Sequence, residues 1–307
     1  MLARYRSLIL PAVLLAAVPT LLAAQGRRDR DDDDFQSRLD TTVTLSAGGV
    51  VDLALVSGEI KVSSWNRDQV RVSATSEDGA LRFDATSGRV SLSVRSDHGH
   101  MGDTEYQITI PAGARLITRS VSGDITTSGG SDVDAHSTSG DLDISNVSGR
   151  ATLESVSGEV KVRKVGAGLH VNSVSGDITA SDVTGDVDAQ SISGGIELDG
   201  ARSSLVRTQT VSGDTHYAGT IDRNGRYEFH SHSGDVELAI PATGVTFDIQ
   251  TFSGDVQSDY PMTLQPGTEM GRKHMEFSIN GGGARITAET FSGDVTIERA
   301  GGPSREN

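Results

Sequence analysis

The chain has no cysteine, so its stability owes nothing to disulfides and no thiolate can ligate a metal. Aromatic residues are scarce, with one Trp, five Tyr and seven Phe among 307 residues. A core assembled without them is thin and filled by Val, Ile and Ala. Prolines number seven, too few for a proline-rich linker. Past the first 22 residues no long hydrophobic run occurs, and no stretch has the spacing of an amphipathic helix. Positive charge is also short: 27 Lys and Arg face 42 Asp and Glu, a formal net charge of −15. Neither nucleic acid nor an anionic membrane surface is an expected partner for so acidic a chain.

Glycine is plentiful, at 36 residues, and it returns in one motif. Ser-Gly-Asp or a close variant occurs at Ser122-Gly123-Asp124, Ser139-Gly140-Asp141, Ser157-Gly158-Glu159, Ser175-Gly176-Asp177, Ser193-Gly194-Gly195, Ser212-Gly213-Asp214, Ser233-Gly234-Asp235, Ser253-Gly254-Asp255 and Ser292-Gly293-Asp294. From Gly123 to Gly254 successive glycines are 17 to 21 residues apart, as the numbers show. A period of that size is the mark of stacked structural repeats.

A half-period lies within it. Val147-Ser148-Gly149, Val156-Ser157-Gly158, Val174-Ser175-Gly176, Val183-Thr184-Gly185 and Ile192-Ser193-Gly194 begin units of nine residues. Apolar or small residues fill the first, fifth and seventh places: Val174, Ile178, Ala180, then Val183, Val187, Ala189. Places five and seven alternate as in a strand. The first place is read as core with them. Gly176 at place three is expected on the inward side of a bend where no side chain fits. An odd repeat length needs one reversal of facing per unit, and the bend is expected to supply it.

Two units make one coil, so the predicted fold is all-β: a single-stranded parallel β-solenoid, β-helix-like, with about 18–21 residues per coil and two sides. Later coils lengthen. Tyr217 to Tyr227 carries an extra turn at Asn224-Gly225, and residues 257–283 form an insertion containing Pro261 and Pro266. Phe252 and Phe291 occupy the column held earlier by Val121, Val174 and Val211, with Tyr227, Phe229 and Phe247 joining it in a widened core and His232 in the same column. Strands are expected at Thr42–Leu45, Val50–Val56, Glu59–Val62, Gln69–Ala74, Ala80–Phe83, Arg89–Val94 and Tyr106–Ile110. They read as wider first coils and a cap, since a bare solenoid end exposes a sheet edge.

The chain opens with Arg4 and Arg6, an apolar stretch from Leu8 to Leu22 broken by Pro11 and Pro19, and Ala23-Ala24-Gln25. This is the pattern of a secretory signal peptide, too short and proline-broken for a membrane span. Cleavage after Ala24 removes two arginines and takes the net charge from −15 to −17. Arg27-Arg28-Asp29-Arg30-Asp31-Asp32-Asp33-Asp34 then reads as a solvated spacer. The expected organisation is a signal peptide at 1–24, an acidic disordered spacer at 25–40, a β-solenoid at 41–300 and a disordered tail at 301–307. Within the solenoid, 41–120 hold the N-terminal coils and cap, and 121–300 the regular repeats with the 257–283 insertion.

The Val-Ser-Gly-Asp-Ile repeats and the closing Gly282-Gly283-Ala284-Arg285-Ile286-Thr287-Ala288-Glu289-Thr290-Phe291-Ser292-Gly293-Asp294-Val295 resemble the bacterial putative-adhesin domain family. These are exported repeat proteins related to head GIN domains. The likeness runs from about Thr41 to Ala300. It implies a β-solenoid acting as a binding or structural module at the cell envelope, and it brings no catalytic motif.

The residues themselves assign no catalytic, cofactor or metal role. Glycosidases and lyases built on β-helices gather carboxylates in a cleft, whereas here one acid recurs per coil. Asp124, Asp141, Asp177, Asp214, Asp235, Asp255 and Asp294 are expected to stack in a column broken by Glu159 and Gly195. Carboxylates ~4.8 Å apart repel by roughly 0.9 kcal/mol in water. An exposed column therefore needs no cation, and each Asp is expected to hold a backbone N–H of its turn. The alternative is a calcium ladder, but the single Gly directly before Asp departs from the calcium-binding nonapeptide. His98, His100, His230 and His232 form close pairs without a third ligand. Trp65 stands alone, and Tyr217, Tyr227 and Phe229 are expected in the core rather than on a sugar platform.

The function expected from the sequence is thus a non-enzymatic exported module, periplasmic, surface-bound or secreted. Its partner is an envelope or extracellular protein or a glycan. The alternatives are a carbohydrate-active β-helix enzyme and an envelope protein that self-associates through stacked solenoid ends.

Overall fold

Alternation of small apolar and polar residues over five to seven positions builds the regular strands. Leu169–Ser173 and Val187–Ser191 bury every second side chain, as a strand with one face inward must. In this computed structural model the described residues are 37–77, 79–95, 102–261 and 273–300, all within one compact unit, 34–307. The expected signal peptide 1–24, spacer residues 25–36, His98, His100, residues 262–272 of the insertion with Pro266, and the tail 301–307 lie outside the described residues.

The described chain is all strand and turn, in one 24-stranded sheet with mostly parallel pairing. Val133 lies beside Ala151, Ala151 beside Leu169, and Leu169 beside Val187, each step 18 residues. Leu142, Val160 and Ile178 follow the same interval on the opposite side. Val187 pairs with Val206 and Val206 with Tyr227, steps of 19 and 21. The coil is therefore two-sided, with one strand per side, and the period read from the motif is the coil length.

The two corners of the coil differ, and this overturns the assignment of place one to the core. Between the second side and the first, Asn146, Lys164 and Asp182 adopt left-handed φ of 57°, 58° and 54°. That reversal turns the next residue inward, and Val147, Val165 and Val183 are buried. At the Ser-Gly-Asp corner no left-handed residue precedes the valine. Alternation simply continues from buried Ser155, Ser173 and Ser191 to exposed Val156, Val174 and Ile192. The nine-residue units thus look alike but point their first residue in opposite directions.

Gly176 is required for a different reason than an inward bend. A Cβ placed on it would fall on the Gly158 carbonyl oxygen, with Gly158 C at 2.8 Å. The same relation holds for Gly140 over Gly123, Gly194 over Gly176, Gly213 over Gly194 and Gly234 over Gly213. Coils stack glycine on glycine, and a side chain there would strike the backbone of the neighbouring coil.

Coil order also departs from chain order at both ends. Tyr227 pairs with Ile286, and Ile286 with Phe247. The last coil in sequence therefore inserts beneath the one before it. Lys273–Ile279, expected as part of a one-sided excursion, runs antiparallel to Val245–Thr251 and covers the terminal coil. At the other end, Val50–Ala54 lies between Arg115–Ser120 and Arg89–Arg95. Antiparallel strands Ala80–Ala85, Gln69–Ser76 and Ser37–Thr44 close that end. The 41–120 region is thus a cap of mixed direction rather than plain wide coils, and its first strand begins at Ser37, inside the stretch assigned to the spacer.

The core is a narrow column of Val, Ile, Leu and Ala. It widens at Tyr217, Tyr227, Phe229 and Phe247, which are fully buried as expected. Four residues after Ile221 stand opposite the single Ser204 of the neighbouring coil, so the strand bulges by three extra residues. The Tyr227 hydroxyl donates to Ser203 O at 2.7 Å and accepts from the Asp222 N–H at 2.8 Å, which fixes that bulge.

Candidate docking face

The exposed valines line up because coils stack in register. Ser139 N–H donates to Val121 O, Ser175 to Val156 O, Ser193 to Val174 O, Ser212 to Ile192 O and Ser233 to Val211 O, at 2.8–2.9 Å. Ser292 N–H donates to His232 O and Ser253 N–H to Phe291 O, both at 3.0 Å. One continuous ladder results: Val121, Thr138, Val156, Val174, Ile192, Val211, His232, Phe291 and Phe252, in spatial order. Its valines, Ile192, Phe252 and Phe291 are each 40–50% exposed. With Leu205, they are all the exposed large hydrophobic residues among the described residues. Folding does not ask for apolar residues here, because the inward places are filled by other residues in the same coils.

The rings end the ladder. His232 stacks on Phe291 with centroids 5.1 Å apart and planes 11° apart, and Phe291 on Phe252 at 4.9 Å and 3°. The sequence correctly placed His232 and the two phenylalanines in the valine column. It wrongly placed that column inside, and wrongly joined Tyr227, Phe229 and Phe247 to it.

Beside the ladder runs a groove of about 720 Å³, from Arg119 to Val211, and a smaller one of about 200 Å³ continues past His230 and Phe252. The wall opposite the ladder is the outward column of the first side. Register places Arg119, His136, Glu154, Asn172, Gln190, Gln209, His230, Glu289 and Gln250 side by side in that order. Buried serines and threonines line the floor, and the hydroxyls of Ser120, Ser137, Ser173 and Ser191 have no hydrogen-bond partner. Along the wall His136 contacts Glu154 at 2.9 Å and Asp134 at 2.7 Å, and His230 contacts Glu289 at 3.2 Å. Its middle, Asn172 to Gln209, carries only neutral amides. His230 and His232 therefore do not act as a pair: one lies on the wall, the other in the ladder.

The aspartate column is on the outside of the same corner, and its chemistry is internal to the stack. Asp141 N–H donates to Asp124 Oδ1 at 2.9 Å, Glu159 N–H to Asp141 Oδ1 at 2.8 Å and Gly195 N–H to Asp177 Oδ1 at 2.8 Å. Asp235 N–H donates to Asp214, Asp294 N–H to Asp235 and Asp255 N–H to Asp294, at 2.8–2.9 Å. These six carboxylates hold the backbone of the next coil, not of their own turn as expected. Glu159, longer by a methylene, turns to Lys161 Nζ at 2.6 Å, which raises the lysine's pKa. Among the described residues no three His, Asp or Glu side chains converge in a metal-binding geometry. Trp65, at the end of Ser57–Trp65, donates Nε1–H to Gln69 O at 2.7 Å beneath the Arg67 guanidinium, far in sequence from the ladder.

A family model described as Toastrack DUF4097 matches residues 101–298. No curated protein matches the chain. Among solved structures it is similar to a "putative adhesin" from Bacteroides fragilis NCTC 9343, with 12% identity over 85% of this chain and 97% of that one, at a TM-score of 0.44. A "putative adhesin" from Parabacteroides distasonis ATCC 8503 shares 8% identity over 85% and 97%, at 0.38. A "putative cell adhesion protein" from Clostridium sporogenes ATCC 15579 shares 7% over 86% and 100%, at 0.31.

Proposed function

The chain belongs to the Toastrack DUF4097 family, and from that premise we propose that it is an exported, non-enzymatic β-solenoid acting as an adhesin-like binding or structural module at the cell envelope. The observation that carries this reading is the exposed apolar ladder. A soluble surface leaves single hydrophobic residues scattered, whereas a contiguous strip bordered by polar groups marks an interaction site. Here seven large apolar side chains share one column beside a groove. Export is supported by the leader, Arg4, Arg6 and the apolar stretch to Leu22, and is compatible with a chain free of cysteine. A non-enzymatic role is supported by the spacing of the acids. They recur one per coil, and most spend an oxygen on the backbone of the neighbouring coil.

The test is cosedimentation of the purified chain with envelope fragments of its source cell. The wild-type protein is expected to sediment with them, and the doubly substituted Val174→Asp, Ile192→Asp protein to stay in the supernatant with an unchanged melting temperature. Equal sedimentation of both would refute the ladder as the binding face.

A further inference from the structure

The ladder repeats once per coil, about 4.8 Å, over nine levels. An extended peptide laid along it repeats like-facing side chains at about 6.6 Å and falls out of step within two coils. It cannot join the sheet either, because the backbone groups along the ladder are already spent between coils. A second solenoid is in step at every level. Resting on the reading that the ladder is the binding face, we propose that the occupant is a second copy of this chain, packed side by side with its axis reversed. The two-fold axis passes through Ile192, the middle of the nine levels from Val121 to Phe252.

Charge along the groove wall selects the reversed direction. In a same-direction pair the two-fold runs along the solenoid and sets each wall against the other copy's acidic corner column at the same level, Glu154 against Glu159 and Glu289 against Asp294. Reversal about Ile192 sets His136 against Glu289, Glu154 against His230, Asn172 against Gln209, and Arg119 against Gln250 of the second copy. Gln190 faces its own counterpart beside the axis. No like charges meet at any of the nine levels. Each ladder stands beside a groove made by the same coils, so the two-fold across Ile192 sets ladder on ladder and groove on groove with identical spacing. Such a face is self-complementary, as an isologous interface must be. The strip is about 40 Å long and one ladder and groove wide, which makes it a small face beside the roughly 800 Å² per partner of a standard interface. The expected association is therefore concentration-dependent.

The absence of cysteine makes the register directly readable. The mass in solution is measured by light scattering over a concentration series, and single-cysteine variants of the full chain are oxidised. The wild-type mass is expected to approach two copies at high concentration. Ile192→Cys is expected to cross-link to itself. Val121→Cys and Phe252→Cys are each expected to stay uncrosslinked alone and to cross-link when mixed. Val121→Cys cross-linking to itself would overturn the reversed direction. A single-copy mass at every concentration would overturn the dimer, while loss of envelope cosedimentation in the Val174→Asp, Ile192→Asp variant would then leave the ladder as a site for an envelope component.

Discussion

Substituting Gly176 by alanine should unfold a measurable part of this protein's stability, and valine should cost little more. The added Cβ falls on the Gly158 carbonyl oxygen, with the carbonyl carbon 2.8 Å away and Gly158 N at 3.3 Å. Those atoms are backbone, held in place by the coil beneath, so no side chain can swing aside. Relief requires the two coils to part locally. The bonds at risk are Val174 N–H to Ser155 O at 3.1 Å, and Ser175 N–H to Val156 O and Val160 N–H to Asp177 O, each 2.9 Å. Each is worth about 1 kcal/mol net, and overpacking adds about 1–3 kcal/mol. The expected loss is about 4–6 kcal/mol, or roughly 8–24 °C in melting temperature for a domain of this size. Gly88→Ala and Gly113→Ala are the controls, since nothing lies within 4 Å of a Cβ there, and both should melt with the wild type. Circular dichroism melts suffice. An unchanged Gly176→Ala protein would refute the stacking argument. A harmless alanine with a damaging valine would point instead to crowding inside the core.

Three further outcomes are expected. Melts in millimolar calcium and in EDTA should coincide, because most of the column's aspartates hold a backbone N–H of the next coil; a shift of several degrees would establish a cation site. Asp141→Ala should cost about 1 kcal/mol by releasing the Glu159 N–H, and Asp141→Asn should cost less, measured by urea unfolding. Burial pushes the Tyr106 and Tyr217 phenols above their ordinary value. The unfolded chain then sheds those protons first, so stability is full below pH ~10 and falls as pH rises past it. Tyr217→Phe should flatten that alkaline limb, and an identical limb would refute it.

The coil was legible because its period is written in glycine, and each glycine exists to let one backbone rest on another. Tyr217, Tyr227 and Phe229 were legible because they fall where the coil lengthens. The orientation of the ladder was hidden. Val174 and Val183 open nearly identical units, and only the preceding residue separates them: Ser173 continues the alternation, Asp182 reverses it. Asn146 and Asp182 are residue types that tolerate the left-handed region, and that was the available signal. Lys164 gives none. The exchanged order of the terminal coils could not be read, since motif spacing records the length of a coil and not the level at which it stacks. The groove wall was equally hidden, because Glu154, Asn172 and Gln190 become neighbours only through register.

The central claim is that one motif position faces outward at one corner and inward at the other. Thermal melting of Val174→Asp beside Val183→Asp tests it most directly. Val174→Asp should melt with the wild type, while Val183→Asp should lose about 3 kcal/mol or more by burying an unpaired carboxylate; two equal losses would contradict the account.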